Sequence, residues 1–227
     1  MKCSFLKQTV VFMKHYARCE LSSKERFFAP LLFSATLLVM FNFSFGESIP
    51  RGYMVNIFVA EVFITLLFSL QLSFMRQFDL ESEDNAFEVL RVSNVSYYAL
   101  FLGKYFVSVI SILCVVLPSV FLAWFFLAAD LVDVEFSFYF YFSIFAALLG
   151  LSALGSLISA LLQKLSGREL LYPLFFYPLG SPLFLLAQQI ALFALEGKEI
   201  FSLLLVLLGL DLFYLVLALL LFDEIMT

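Results

Sequence analysis

Two groups of residues in this 227-residue chain are placed where chemistry is possible. The first is a pair of lone carboxylates, Glu61 and Asp211, each inside a long apolar run. Acids at that depth are costly and are functional candidates by default. Glu61 stands roughly a third of the way in from the outer end of its run, which a membrane span would place near headgroups or an external cavity; Asp211 stands mid-run. A proton relay would use such a pair, and protonated or hydrogen-bonded structural acids would satisfy the same pattern. The second group is the acidic stretch from Phe78 to Arg91, FDLESEDNAFEVLR. Ser82 followed by Glu83 and Asp84 forms a helix start, with acids in the first turn where the dipole favours them. Glu81, Asp84, Glu88 and Arg91 then run along one side, and Phe87 with Leu90 gives an apolar side. That pattern suits a short helix parallel to a membrane that meets a partner protein; a solvated linker is the plainer alternative.

The elements that must position these residues are apolar. Hydrophobic residues make up 63% of the chain and charged ones 14%, against roughly 25% charged in an average soluble domain. Six runs stand out: Phe28 to Phe45, Tyr53 to Met75, Tyr98 to Ala128, Phe136 to Leu162, Leu170 to Leu195 and Ile200 to Phe222. Each is near or above the roughly 17 to 25 residues that a spanning helix needs. Barrel strands alternate apolar and polar residues, whereas Leu203 to Leu210 is apolar on every side. Only a helix satisfies such a backbone in lipid. The expected fold is an all-α membrane protein of six transmembrane helices in one domain, residues 1–227. Its thirty-one Phe and ten Tyr serve packing rather than a cofactor.

Eleven of the thirteen Lys and Arg residues lie in the segments 1–29, 76–104 and 163–168, and only Arg51 and Lys198 lie in the others. The positive-inside rule therefore expects both termini in the cytoplasm, and with them the acidic stretch. Residues 1–27 carry helical periodicity, with Phe5, Phe12 and Tyr16 on one face and Lys7, Lys14 and Arg18 opposite. This is a basic amphipathic helix expected to lie on the inner leaflet, in contact with membrane lipids. The segment is too long and polar for a signal peptide and is expected to stay on the mature protein. His15, the single His, reads as a bystander. Cys3, Cys19 and Cys114 form no Cys-x-x-Cys and read as free thiols.

The fourth run contains Gly150-Leu-Ser-Ala-Leu-Gly-Ser156 followed by Ser159 and Ala160, a small-residue strip for close helix approach, within the bundle or between two copies. The fifth contains Pro173, Pro178 and Pro182. Such a helix is expected to kink or break, and the backbone groups it frees are tolerated only against protein or a water-lined cavity. A structural kink is one reading. A gate or cleft wall is the other, with Tyr172, Pro178, Pro182 and Gln188 as its residues beside Glu61 and Asp211. Gln188 and Gln189 are expected to find partners away from lipid.

Several chemistries find no support. No phosphate-binding Gly-x-x-x-x-Gly-Lys-Ser/Thr loop exists, so the chain is not expected to hydrolyse ATP unaided. One His excludes bis-His haem ligation. No metal-ligand spacing and no Ser, His and acid set is present. Nothing suggests nucleic acid. The chain is expected to be non-catalytic and to carry no cofactor or metal of its own.

The layout of six spans, an amphipathic start and a short acidic helix between spans two and three resembles an ABC-2-type permease. It is most similar to the haem exporter protein B family, the membrane subunit of the bacterial cytochrome c maturation transporter. The residues carrying the resemblance are Asp84-Asn-Ala-Phe-Glu-Val-Leu90 with Lys104, the glycine-rich Leu149 to Gly155, and the Pro178-x-x-x-Pro182 spacing. The resemblance implies an inner-membrane permease that pairs with a second copy or a related permease and docks on a separate ATP-binding cassette subunit. Residues 78–92 would be its coupling helix, with Phe87 and Leu90 entering a groove on the ATPase and Glu81, Glu83, Asp84, Glu88 and Arg91 at the rim. ATP would be held by that partner, haem would be cargo, and a haem-handling membrane protein would be a further partner. An ABC exporter of lipid or drug, and a proton-coupled transporter using Glu61 and Asp211, are the alternatives.

Overall fold

The computed structural model describes residues 5–22, 24–45, 53–75, 77–78, 95–127, 136–163, 165 and 167–226. Seven helices hold nearly all of them: α1 Phe5–Ser22, α2 Lys24–Phe45, α3 Met54–Met75, α4 Tyr97–Leu127, α5 Phe138–Leu162, α6 Arg168–Leu195 and α7 Phe201–Met226. No strand occurs among the described residues. Helices α3 to α7 are long and apolar enough to cross a membrane. The expected first span falls on α2, whose apolar part, Phe28–Ser44, is shorter than these. The architecture is thus all-α with five spans by length and composition, and α2 as a shorter apolar helix beside them.

Helix α5 is the axis of the bundle. It packs mainly against α6 and α7, while α1 lies along α4 and α3 touches α2, α4 and α6. The reason is the small-residue strip: every residue from Gly150 to Ala160 is buried, so neighbouring helices approach the α5 backbone closely. A Cβ on Gly155 would stand 2.6 Å from Phe74 Cδ2 and 2.9 Å from the Tyr172 hydroxyl. Ser159 Oγ donates to the Phe74 carbonyl across 2.7 Å. Of the two positions open for this strip, the structure therefore takes the one inside the bundle.

Of the two outcomes expected for α6, a kink or a break, the break does not occur. The helix runs unbroken from Arg168 to Leu195 with all three prolines inside it. Pro182 cannot supply the N–H that the Pro178 carbonyl would normally accept. Ser181 Oγ donates to that carbonyl instead, at 3.0 Å, and the Tyr214 hydroxyl of α7 donates to the neighbouring Leu179 carbonyl at 2.5 Å. Local hydroxyls thus keep the helix continuous where a break was expected. Pro178 and Pro182 are exposed, so their rings point away from the packed face. Gln189, expected to avoid lipid, is also exposed. It lies six residues from the helix end, about 9 Å along the axis, close enough to reach an interface.

Candidate coupling site

The site begins at the exit of α3. Gln77 N–H donates to the Phe74 carbonyl at 3.1 Å, turning the chain out of the helix. The Gln77 side-chain amide donates to Ser108 Oγ of α4 at 2.7 Å and to Ser156 Oγ of α5 at 3.1 Å. The end of α3 is therefore tied to two other helices before the acidic stretch starts. Phe78 follows, 2% exposed, with its ring centroid 6.4 Å from that of Phe222 in α7. Phe101 of α4 stands 5.1 Å from the same Phe222 ring, and the Tyr98 hydroxyl donates to Asp223 Oδ2 at 3.1 Å. The α3 exit, the α4 start and the α7 end thus meet at one end of the bundle.

Lys104 is the centre of this end. It is 5% exposed, and its Nζ lies 3.6 Å from the Phe78 ring centroid and 4.9 Å from that of Tyr16 in α1. A cation held over two ring faces in a poorly hydrated site is drawn to both, by about 2 kcal/mol for a desolvated contact. The neighbouring Gly103 explains how α1 comes so near. A Cβ there would stand 2.7 Å from Phe12 Cβ, 3.2 Å from Met13 N and 3.3 Å from Thr9 O. Only a glycine lets the α1 backbone press on α4 at that point.

Helix α1 also reaches the other end of the acidic stretch. The Ser96 N–H, just before α4, donates to Gln8 Oε1 of α1 at 3.3 Å. Phe78 and Ser96 bracket the stretch, and α1 touches both brackets, through Lys104 at one and directly at the other. From Gln8 to Tyr16 is eight residues, about 12 Å of helix. The amphipathic helix anticipated from sequence is therefore a clasp across the base of the acidic stretch. Its helical part is Phe5–Ser22, shorter than expected, because a new helix begins at Lys24 and takes Lys24 and Arg26 with it. Lys7, Lys14 and Arg18 are exposed and Tyr16 is buried, as the periodicity predicts, but Phe5 is exposed and does not join Phe12 and Tyr16. His15 is exposed, with Nε2 3.8 Å from Cys19 Sγ. Cys19 is half-buried and Cys114 is exposed. The residues expected to meet an ATPase, Glu81, Glu83, Asp84, Phe87, Glu88, Leu90 and Arg91, lie outside the described residues.

The gate candidates do not form one cluster. Asp211 is 9% exposed and packs into the notch at Gly150, where a Cβ would fall on its Oδ1 and on Leu183 Cδ1. Tyr172, 2% exposed, meets α5 at Gly155, five residues on, about 7 Å along the axis; its ring stacks on Phe176 with centroids 5.3 Å apart. Pro178 and Pro182 are exposed on α6, and Gln188 is half-buried. Glu61 is 3% exposed, enclosed by the bundle. Both Asp211 oxygens, Glu61 Oε1 and the Tyr172 hydroxyl have no hydrogen-bond partner among the described residues. Sequence reasoning missed the α1 clasp, although Gly103 beside Lys104 carried the signal. It also missed a groove of 580 Å³ between α4 and α5, lined by apolar and aromatic residues including Phe121, Trp124 and Tyr141.

Among curated proteins none matches the chain. The model of the CcmB protein family matches residues 7–224, a stretch that takes in α1's clasp, both brackets, four candidate spans whole and the fifth up to residue 224. The chain is therefore a multi-pass membrane protein that belongs to the CcmB protein family.

Proposed function

We propose that this chain is the membrane subunit of an ABC transporter acting in c-type cytochrome assembly, coupling ATP hydrolysis on a separate subunit to haem export or to release of haem from its chaperone. Family membership over residues 7–224 is the observation that carries this reading, and the clasp adds a physical route. In this reading α2 is a sixth, short span, both termini are cytoplasmic, and the protein sits in the inner membrane beside a second copy or a related permease.

Residues 78–92 then form the coupling helix. Closure of the ATPase dimer pushes on Phe87 and Leu90, with Glu81, Glu83, Asp84, Glu88 and Arg91 making rim contacts. A push at this segment is delivered to its brackets. At Phe78 the load passes to Phe222 of α7 and, through Gln77, to α4 and α5; at Ser96 it passes to α4 and α1. Packed helices with fixed ends transmit such a load as rigid-body movement. Haem enters this account as cargo, and a haem-handling membrane protein of the same system receives or supplies it. The test is deletion and complementation. A strain lacking this chain loses c-type cytochromes, seen by haem staining, and regains them with the intact gene; normal c-type cytochromes in the deletion strain contradict the proposal.

Glu61 and Asp211, buried and without partners among the described residues, are what a proton-coupled transporter would use. Export driven by a proton gradient without an ATPase, and stopped by an uncoupler, would favour that alternative.

A further inference from the structure

One seam of the bundle carries polar side chains that the coupling function leaves unused. Helices α3 and α4 run in opposite directions there: Gln77 bonds Ser108, and next outward Ser73 and Ser69 of α3 meet Ser111 of α4. These three serines and Glu20 of α1 line a crevice of about 10 Å³. A buried water needs roughly that room and two to four polar partners, and the crevice offers both. One turn further out, the same register sets Thr65 of α3 level with Ser119 of α4. Ser119 Oγ stands 2.9 Å from Ser34 Oγ of α2 and 2.8 Å from the Val115 carbonyl, so its single proton has two acceptors. Ser69 Oγ donates to the Thr65 carbonyl at 2.7 Å. The Thr65 hydroxyl is 1% exposed and has no partner among the described residues. Glu61, buried with an oxygen equally unpartnered, follows after one more turn. Hydroxyls thus stand at each turn between two carboxyl groups, Glu20 and Glu61. Asp211 lies outside this seam, against Gly150 of α5.

We propose that this seam is a proton path, through which Glu61 exchanges its proton with the face of the protein that carries α1, and that Glu20 is its entrance. Side chains one turn apart are about 5 to 6 Å from Cβ to Cβ, and two hydrogen bonds of about 2.8 Å that meet in one water cover such a gap. A proton leaves the Glu20 carboxyl for the crevice water, which releases one of its own to the next hydroxyl outward. Each hydroxyl accepts one proton and gives up another, until Thr65 Oγ1 hands its own to Glu61. Glu20 is left as the carboxylate and Glu61 as the neutral acid. Beyond the crevice there are too few oxygens at each turn to replace the water around a metal ion, which favours a proton as the traveller. Over residues 28–45, 108–127, 138–162 and 170–195, the elements packed against α3 carry no carboxyl, amine, guanidinium or imidazole. Their titratable groups are Cys114, Tyr139 and Tyr141, all exposed, with Tyr172 and Tyr177 toward the other end of α6. Within the preceding turn of α1, Glu20 has Tyr16, Arg18 and Cys19. The path requires neither an ATPase nor the coupling helix, and so stands apart from the function proposed above.

The test uses sealed membrane vesicles that hold the full chain, without ATP, prepared in both orientations. Trypsin cleavage after Lys14 identifies the vesicles with the α1 face outward. Dicyclohexylcarbodiimide modifies a membrane-buried carboxyl only in its protonated form, and mass spectrometry of the peptide containing Glu61 measures the adduct per chain. With the lumen held at fixed pH, raising the outside pH is expected to lower the adduct by about tenfold per pH unit once Glu61 is mostly ionised. This response is expected where the α1 face is outward and not in the opposite orientation. Glu20→Gln and Thr65→Val are both close to isosteric, and the second removes a hydroxyl with no partner among the described residues; each is expected to weaken the response several-fold. Asp211→Asn is expected to leave it intact. Labelling that follows the pH of the opposite face, or of neither face, overturns the proposal. A full response in both seam variants, or loss of the response in Asp211→Asn, overturns the route. Protection of Glu61 by sodium ions at constant pH would show a metal-ion site and overturn the proton assignment. Failure of the ATPase coupling leaves all these readouts unchanged, so the two proposals fail separately.

Discussion

Lys104 Nζ stands 3.6 Å from the centroid of the Phe78 ring, so a buried cation holds the residue with which the chain leaves α3. Lys104→Met keeps most of the apolar stem and removes the charge, costing about 2 kcal/mol of ring attraction. The expected result is a protein that inserts and purifies normally but stimulates its ATPase several-fold less. Lys104→Arg, which also stacks on ring faces, is expected to retain most of the coupling. ATP turnover of the assembled complex in nanodiscs checks both, and equal turnover in the Met variant would remove Lys104 from the coupling route.

The seat of α1 depends on the missing side chain at Gly103. Gly103→Leu forces bulk into a gap where even a Cβ would lie 2.7 Å from Phe12 Cβ, and overpacking of this kind costs roughly 1 to 3 kcal/mol. Helix α1 is expected to lift while the spans stay folded. Limited trypsin digestion reads this directly: cleavage after Lys14 and Arg18 should accelerate in Gly103→Leu and less so in Gly103→Ala. Digestion at the wild-type rate in the Leu variant would show that α1 is held elsewhere.

Much of this arrangement was legible in the sequence. The apolar runs appear as helices because residues such as Leu203 to Leu210 offer no polar face and permit no other structure in lipid. The exposed cations of α1 and the buried Tyr16 followed from helical periodicity. Periodicity is a local property, however, and could not show that Gln8 would reach Ser96, 88 residues away, or that Tyr16 and Phe78 would share Lys104. The continuity of α6 was not legible for the same reason. Pro178 and Pro182 argue for a break when taken alone, and the Tyr214 hydroxyl that helps to prevent it comes from another helix. The acids were visible as unusual residues, but their surroundings, such as the Gly150 notch around Asp211, are products of packing.

That notch separates the ATP-driven account from a proton-coupled one. Asp211→Asn is close to isosteric and removes the titrating group; with no partner among the described residues to lose, it is expected to leave protein yield and c-type cytochrome levels near wild type. Gly150→Leu places a side chain on Asp211 and Leu183 and is expected to lower both, by an overpacking cost of about 1 to 3 kcal/mol. Haem-stained cytochrome levels in strains carrying each variant provide the check. Loss of maturation in Asp211→Asn at normal protein level would favour proton coupling.

The central claim is that the segment between Phe78 and Ser96 couples this chain to an ATPase, and Phe87→Asp tests it most directly. Phe87 is the apolar residue assigned to the partner's groove, and a carboxylate there opposes burial in an apolar site. The measurement is co-purification of the ATP-binding subunit with this chain, together with the ATPase activity of the material recovered. The account predicts that the Phe87→Asp chain is made and inserted at the normal level, but that the ATP-binding subunit is lost or its activity uncoupled. Recovery of the subunit at undiminished yield and activity would contradict it.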